Sequence, residues 1–150
     1  MQDAHGALFR ELLPERRPLP GAPELLAYLR EHDVTHGIAT SGRRPEIDAS
    51  LDALGVPPET VVVERGDVAR AKPEPDLFVE CARRLAAEPG ECYVVGDAVW
   101  DLLAARRARM LSIGLLSGGY GAEELERAGA YRVYRDAAEL RVSLDELGIG

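Results

Sequence analysis

Short apolar runs that alternate with helical patterns constrain the fold of this chain more than any other feature. Four runs rich in branched and aliphatic residues have the length of strands, and a short fifth run follows them. The runs are Val34–Thr40, Thr60–Glu64, Cys92–Gly96, Met110–Leu116 and Tyr131–Arg135. Helical spacing predicts helices over Pro23–Glu31, Pro45–Leu54, Leu77–Ala87, Asp97–Arg109, Ala122–Ala128 and Ala137–Leu147. This alternation predicts an α/β fold of Rossmann-like type, a parallel sheet with helices on both faces.

Composition narrows the class of protein further. A length of 150 residues with 46% hydrophobic residues fits one domain with a substantial core. The formal net charge of −8 argues against a nucleic-acid surface, which is usually basic. No apolar run reaches the roughly 18 residues of a membrane span. Cys81 and Cys92 have no metal-site spacing, so we interpret them as reduced cysteines of a cytoplasmic protein.

The carboxyl ends of the predicted strands are where a parallel sheet of this type binds ligands. Thr40, Ser41 and Gly42 stand at the first of these ends and precede a predicted helix. Hydroxyls and backbone N–H groups at such a position can bind a phosphate oxygen. Serine and threonine also cap helices there, so both interpretations stay open.

A lysine lies in the loop after the second strand. Lys72 stands in "AKPEPD", where Pro73 and Pro75 restrict the backbone. A fixed lysine can neutralise a phosphate or an active-site carboxylate. The alternative is an ordinary solvated lysine on the surface.

Two aspartates follow the third strand. Asp97 and Asp101 stand four residues apart at the start of a predicted helix, where like charges repel unless a cation lies nearby. Mg²⁺ is typically held by one or two carboxylates together with a substrate phosphate, and Gly96 permits a close backbone approach. The alternatives are a helix N-cap at Asp97 and a helix-face charge at Asp101.

The order of these motifs resembles the haloacid dehalogenase-like hydrolase superfamily, in its phosphoglycolate phosphatase and β-phosphoglucomutase branch. "IATSG", "AKPEPDLF" and "VVGDAVWD" look like the second, third and fourth motifs of that superfamily. The resemblance implies a phosphate-binding hydroxyl at Thr40 with Ser41 beside it. It implies a catalytic and phosphate-binding role for Lys72, Mg²⁺ ligation by Asp97, and support from Asp101.

The first motif implied by the resemblance does not occur before Thr40. That DxDGT-type motif carries the aspartate nucleophile on the first strand, and its nearest counterpart here is "DAHG" at Asp3. We therefore expect residues 1–17 to be a remnant of a helical cap. Residues 18–150 are expected to form a core that lacks its first strand, between the strands that end at Thr40 and Gly96. Unpaired strand edges would then leave the isolated chain poorly stable and inactive.

Several functions remain open at this point. The resemblance implies a Mg²⁺-dependent phosphomonoesterase for a small phosphorylated metabolite, with no nucleic-acid or membrane partner. The alternatives are a sugar-phosphate mutase and a non-catalytic remnant or binding module. A metal-free dehalogenase does not explain two acidic residues placed as Asp97 and Asp101 are. Arg43 and Arg44 follow the phosphate motif, where two interpretations stay open: contact with a substrate anion, or surface arginines at a helix start.

Overall fold

The computed structural model describes residues 20–149, which fold as alternating strands and helices. The helices are α1 (Ala22–Glu31), α2 (Asp48–Ala53), α3 (Asp76–Leu85), α4 (Val99–Arg107), α5 (Ala122–Arg127) and α6 (Ala137–Val142). The strands are β1 (Gly37–Ala39), β2 (Val61–Val63), β3 (Tyr93–Gly96), β4 (Leu111–Leu115) and β5 (Arg132–Tyr134). The predicted Rossmann-like α/β class is confirmed. The predicted cap remnant, residues 1–17, lies outside the described residues.

Every strand pair is parallel, but the strands form two separate sheets. β1 pairs with β2 in one sheet, where Ile38 is opposite Val62. The second sheet has the order β3-β4-β5, with Val95 opposite Ile113 and Gly114 opposite Val133. Within residues 20–149, β1 and β3 are thus edge strands of two sheets, hereafter called half-sheets.

Helices cover the sheets on both faces, as the apolar strands require. Consecutive β3 side chains point to opposite faces, and they enter two different cores. Val94 packs in the core formed with α3 and α4, whereas Tyr93 and Val95 pack with α1 and α6. Leu26 and Leu140 belong to the latter core. Both faces of β3 are therefore covered by apolar side chains, which explains the lack of polar alternation in this strand.

Element boundaries differ from the sequence-based expectations at helix starts. α2 begins at Asp48 instead of Pro45, because residues before it form turns. α4 begins at Val99 instead of Asp97, since Ala98 is extended. The C-terminal helical pattern divides at Ser143 into α6 and a 3₁₀ turn, Leu144–Leu147. Within residues 20–149, no helix has the length and apolar character needed to cross a bilayer.

Candidate functional site

Thr40 lies directly after β1 and is completely buried. Its N–H donates to the carbonyl oxygen of Val63 at 2.9 Å, which continues the β1–β2 pairing by one residue. Its Oγ1 accepts a hydrogen bond from the Gly42 N–H at 3.0 Å. The next helix has Ile47 at its N-cap, without a side-chain cap. The helix-capping interpretation of Thr40 and Ser41 is therefore wrong, and the hydroxyl closes a tight turn at the strand end.

Lys72 lies in the loop that leads to α3, and its side chain is completely buried. Its Nζ is 3.0 Å from Oδ1 of Asp101, whose side chain is also 0% exposed. The solvated-lysine interpretation is therefore wrong. Two opposite charges removed from water are stable only when they are paired in good geometry, as they are here.

Asp97 and Asp101 are both buried, at 1% and 0% exposure, but they do not form a pair on one helix. Asp97 precedes the helix, and Ala98, the N-cap, is extended with φ −133° and ψ 149°. Oδ2 of Asp101 accepts the Ala98 N–H at 3.1 Å. Asp101 thus closes the first turn of α4, and the N-cap interpretation of Asp97 is wrong.

Two glycines allow the backbone to pack tightly around these carboxylates. A Cβ on Gly96 would lie 2.8 Å from Oδ2 of Asp101. A Cβ on Gly118, in the turn after β4, would clash with the Asp97 carbonyl oxygen and lie 2.8 Å from its Cγ. Sequence reasoning identified the glycine-rich loop as a weak signal, but not this contact of Gly118 with Asp97. In the sequence, this contact is indicated by nothing more than a glycine shortly after a predicted strand.

The Lys72–Asp101 pair also connects the two half-sheets. It joins the loop that follows β2 to the start of α4, which follows β3. The carboxyl ends of both half-sheets therefore lie on the same side of the molecule. Lys72, Asp97, Asp101 and Gly118 form one cluster there, and Thr40 stands at the carboxyl end of the neighbouring half-sheet.

The arginines after Thr40 lie outside this cluster. Arg44 is exposed and pairs with Asp48 at 2.6 Å, and its N–H donates to Glu64 Oε1 at 3.3 Å. Arg43 is exposed as well. Arg44 therefore stabilises the local surface, in contrast to the buried charge of Lys72.

A divalent cation at this edge would rely on few protein ligands. Within residues 20–149 no group of three or more His, Cys, Asp or Glu side chains has the arrangement of a metal site. Mg²⁺ does not need such a group, because it keeps several waters and commonly uses one or two carboxylates plus a phosphate. Both oxygens of Asp97 are buried at the strand end, which fits that chemistry.

These features define an α/β protein of Rossmann-like type with fixed charges at the carboxyl edge of its parallel strands. A sequence model of the haloacid dehalogenase-like hydrolases matches residues 4–109. The chain belongs to the haloacid dehalogenase-like hydrolase family.

Solved structures agree with this assignment. A hydrolase from Pseudomonas syringae is 48% identical, with a TM-score of 0.84 over 87% of this chain and 61% of its own. A family hydrolase from Deinococcus radiodurans R1, with bound phosphate and sodium, is 33% identical. Its TM-score is 0.78 over 88% of this chain and 61% of its own.

Curated relatives with named activities are also similar to this chain. Validoxylamine A 7'-phosphate phosphatase of Streptomyces hygroscopicus subsp. limoneus is 33% identical over 86% of this chain. The β-phosphoglucomutase of Bacillus subtilis is 32% identical over 91% of this chain. The chain spans 60% of the length of the phosphatase and 57% of that of the mutase.

Proposed function

We propose that this chain carries the phosphate- and metal-binding part of a Mg²⁺-dependent phosphomonoesterase for a small phosphorylated metabolite. The observation that carries the proposal is the fully buried Lys72–Asp101 ion pair beside buried Asp97. Buried charges are costly to a fold, and they cluster where a reaction uses them. Phosphoryl transfer depends on such fixed charges to position and neutralise the transferred group.

Phosphate binding is assigned to Thr40, Ser41, Gly42 and Lys72. The Thr40 oxygen accepts the Gly42 N–H, so its own proton is left to donate to an acceptor such as a phosphate oxygen. The Lys72 ammonium supplies positive charge, and Asp101 holds it in place. In this arrangement Thr40 orients the phosphoryl group and Lys72 acts as a catalytic residue by stabilising its charge.

Metal binding is assigned to Asp97, with Asp101 as the supporting acid. Both oxygens of Asp101 already accept protein hydrogen bonds, from Lys72 and from the Ala98 N–H. Asp101 therefore positions the lysine and the first turn of α4. A bound Mg²⁺ would neutralise charge on the phosphoryl oxygens. The Deinococcus relative has bound phosphate and sodium, which is in keeping with the proposed binding of an anion and a cation by this chain.

The nucleophile in this proposal is a carboxylate supplied by polypeptide outside Met1–Gly150. Its oxygen attacks phosphorus while the ester bond breaks, and the departing alcohol takes a proton from a general acid. Water then attacks the phosphorus of the aspartyl-phosphate, which releases inorganic phosphate and restores the carboxylate. We therefore expect Met1–Gly150 to be inactive alone. Hydrolysis of p-nitrophenyl phosphate by the purified chain would contradict this part.

One other function has specific support. Similarity to a β-phosphoglucomutase favours a sugar-phosphate mutase, which would use the same phosphate and metal groups. A mutase transfers the phosphoryl group back to a sugar hydroxyl, whereas a phosphatase releases inorganic phosphate. When the polypeptide that carries the nucleophile is supplied, the product separates the two enzymes: a sugar phosphate indicates a mutase, and inorganic phosphate indicates a phosphatase.

Calorimetric titration of Met1–Gly150 with inorganic phosphate, with and without Mg²⁺, tests the proposed site. We expect phosphate binding to require Mg²⁺. Lys72→Met and Asp97→Asn should each weaken it about tenfold or more, a loss of at least roughly 1.4 kcal/mol. Asp48→Asn removes an exposed carboxylate on α2 and serves as the matched control. Equal binding without Mg²⁺, or no binding by the folded chain, would contradict the proposal.

A further inference from the structure

Lys72 lies in a short loop that leads to α3, residues 70–76, hereafter the lysine loop. Lysine has a long, flexible side chain, so its ammonium has a defined place only when both ends of that side chain are fixed. Asp101 holds the ammonium end at 3.0 Å. Pro73 and Pro75 restrict the backbone but do not connect the two ends of the loop. The position of the backbone therefore depends on further contacts.

Arg70 and Asp76 connect the two ends of the lysine loop. The Arg70 N–H donates to Oδ2 of Asp76 at 3.1 Å. The Arg70 guanidinium donates from Nε to Oδ2 at 3.3 Å and from Nη2 to Oδ1 at 2.9 Å. Both carboxylate oxygens of Asp76 thus accept hydrogen bonds from one residue, and forked ionic pairs of this kind fix geometry as well as adding energy. This set of bonds is hereafter the Arg70–Asp76 bridge.

The Asp76 end of the bridge belongs to an element that the core holds in place. Asp76 is the first residue of α3, and its side chain is 17% exposed. The next two residues, Leu77 and Phe78, are buried in the core shared with α4. Arg70 is exposed and lies at the other end of the loop. Asp76 therefore attaches the start of the lysine loop to a fixed helix.

The middle of the lysine loop is attached to α4. Nη1 of Arg107 donates to the Pro73 carbonyl oxygen at 3.3 Å and lies 3.4 Å from Oε2 of Glu74. Lys72 itself reaches Asp101 in the first turn of the same helix. The loop is thus closed at its ends by the Arg70–Asp76 bridge and joined to α4 at two points.

We propose that Asp76 is a positioning residue for Lys72, because its bridge to Arg70 keeps the lysine loop closed. The closed loop places the Lys72 ammonium against Asp101, at the edge of the sheet where phosphate is proposed to bind. The effect on phosphate rests on the proposed function, whereas the effect on Lys72 does not. The competing role of Asp76 is a favourable charge in the first turn of α3, which would stabilise the helix without acting on Lys72.

The burial of the Lys72–Asp101 pair explains how a bridge at the surface can affect it. A buried ion pair offsets its desolvation only while its geometry is good. A small displacement of the lysine loop therefore weakens the pair strongly. The bridge itself contributes little to global stability, because exposed ion pairs are weak. Its loss should thus be detected at Lys72 rather than in the unfolding of the whole chain.

Proton exchange of the Lys72 ammonium with water, measured by NMR without phosphate, tests the effect on Lys72. The resonance is assigned by its loss in Lys72→Arg. Asp76→Asn keeps the shape of the side chain and removes its charge. We expect this change to raise the exchange rate about threefold or more, because the ammonium leaves Asp101 more often. Unchanged exchange would overturn the proposal.

Glu80→Gln is the matched control. Glu80 lies on the same helix, its side chain is 21% exposed, and it accepts a similar fork from Arg83 at 2.9 and 2.6 Å. This pair has no part in the lysine loop, so its loss should leave the Lys72 ammonium unchanged. An equal rise in exchange in Glu80→Gln and Asp76→Asn would show a general effect of charge on α3 and would also overturn the proposal.

Calorimetric titration with inorganic phosphate and Mg²⁺ tests the consequence for the site. Asp76→Asn should weaken phosphate binding about threefold or more, and Asp76→Glu, which keeps the carboxylate, should recover part of the loss. In a Lys72→Met background, Asp76→Asn should have no further effect, because Asp76 acts through Lys72. An equal loss in both backgrounds, or unchanged phosphate affinity in Asp76→Asn alone, would overturn the proposal. The ammonium measurement does not need Lys72→Met, so it decides the matter if that variant does not fold.

The outcomes for the two proposals are distinguishable. If Asp76→Asn speeds ammonium exchange and the unsubstituted chain binds no phosphate, the proposed function fails while the positioning of Lys72 by Asp76 stands. If the unsubstituted chain binds phosphate with Mg²⁺ and Asp76→Asn leaves ammonium exchange unchanged, the proposed function stands and the positioning role of Asp76 fails.

Discussion

Lys72 and Asp101 form an ion pair in which both charges are fully buried. Removing one partner of a buried pair leaves the other charge without compensation. We predict that Lys72→Met lowers the free energy of unfolding by about 3–5 kcal/mol. The double variant Lys72→Met/Asp101→Asn should lose less than the sum of the single changes, with a coupling energy of about 0.5–3 kcal/mol.

Urea denaturation of the four chains of this double-mutant cycle measures the coupling energy. The exposed pair Arg44–Asp48, 2.6 Å apart, provides a matched cycle with an expected coupling of about 0.3–0.5 kcal/mol. Equal coupling in the two cycles would show that the Lys72 pair is not buried in solution.

Tyr134 gives the stability a predictable dependence on pH. Burial and then the hydrogen bond from its hydroxyl to Glu146 raise the pKa of Tyr134 from 10.0 to about 12. The protonated phenol is thus stabilised in the folded chain, so its contribution is complete below pH 10 and is lost as the pH rises to about 12. Tyr134→Phe should flatten the fall in unfolding free energy across this window.

Chemical denaturation at several pH values between 9 and 12 tests this. Tyr131→Phe changes an exposed tyrosine and serves as the control. A Tyr134→Phe chain with an unchanged slope would contradict the assignment.

At the scale of elements, the turn after β4 holds Asp97 in place. Gly118 packs so closely on the Asp97 backbone that any side chain must push the two apart. We predict that Gly118→Ala destabilises the chain by about 1–3 kcal/mol. It should also weaken Mg²⁺-dependent phosphate binding, because the carboxylate moves. Thermal unfolding and calorimetry measure the two effects.

Gly90→Ala is the matched control for this substitution, because an added Cβ there meets nothing within 4 Å. Loss of stability in Gly118→Ala with unchanged phosphate affinity would mean that the turn supports the fold but not the site.

The same elements show what the sequence could and could not predict. Strand runs and helix spacing are local properties, so the order of elements was predictable. The first residue of α4 was not predictable, because it depends on a hydrogen bond within the first turn, in which the Asp101 side chain accepts the Ala98 N–H. The Gly118 contact joins two loops distant in sequence, which periodicity does not detect.

The candidate site was predicted as a set of residues at one sheet edge, and their assigned roles stay predictions. The motif order placed Lys72 and Asp101 at that edge, and the structure brings them to 3.0 Å. Their burial was not predictable, because lysine on a proline-rich loop is ordinarily exposed. It results from the packing of the loop after β2 against the start of α4, which only the tertiary structure provides.

At the scale of the whole molecule, the proposed site draws on both half-sheets. Thr40 follows β1 of the first half-sheet, and Asp97 follows β3 of the second. Lys72 comes from the loop after the first half-sheet and pairs with Asp101 beyond the second. A phosphate with its cation would therefore connect both halves, which is why the site is proposed to act as a unit.

The most direct test of this account is the effect of bound Mn²⁺, in place of Mg²⁺, on the ³¹P relaxation of inorganic phosphate in the presence of Met1–Gly150. The account predicts strong relaxation enhancement from a phosphate next to the metal. Asp97→Asn should abolish the enhancement, Lys72→Met and Thr40→Val should reduce it, and Asp48→Asn should leave it unchanged. Phosphate and Mn²⁺ that both bind the folded chain without any mutual relaxation effect would contradict a shared site.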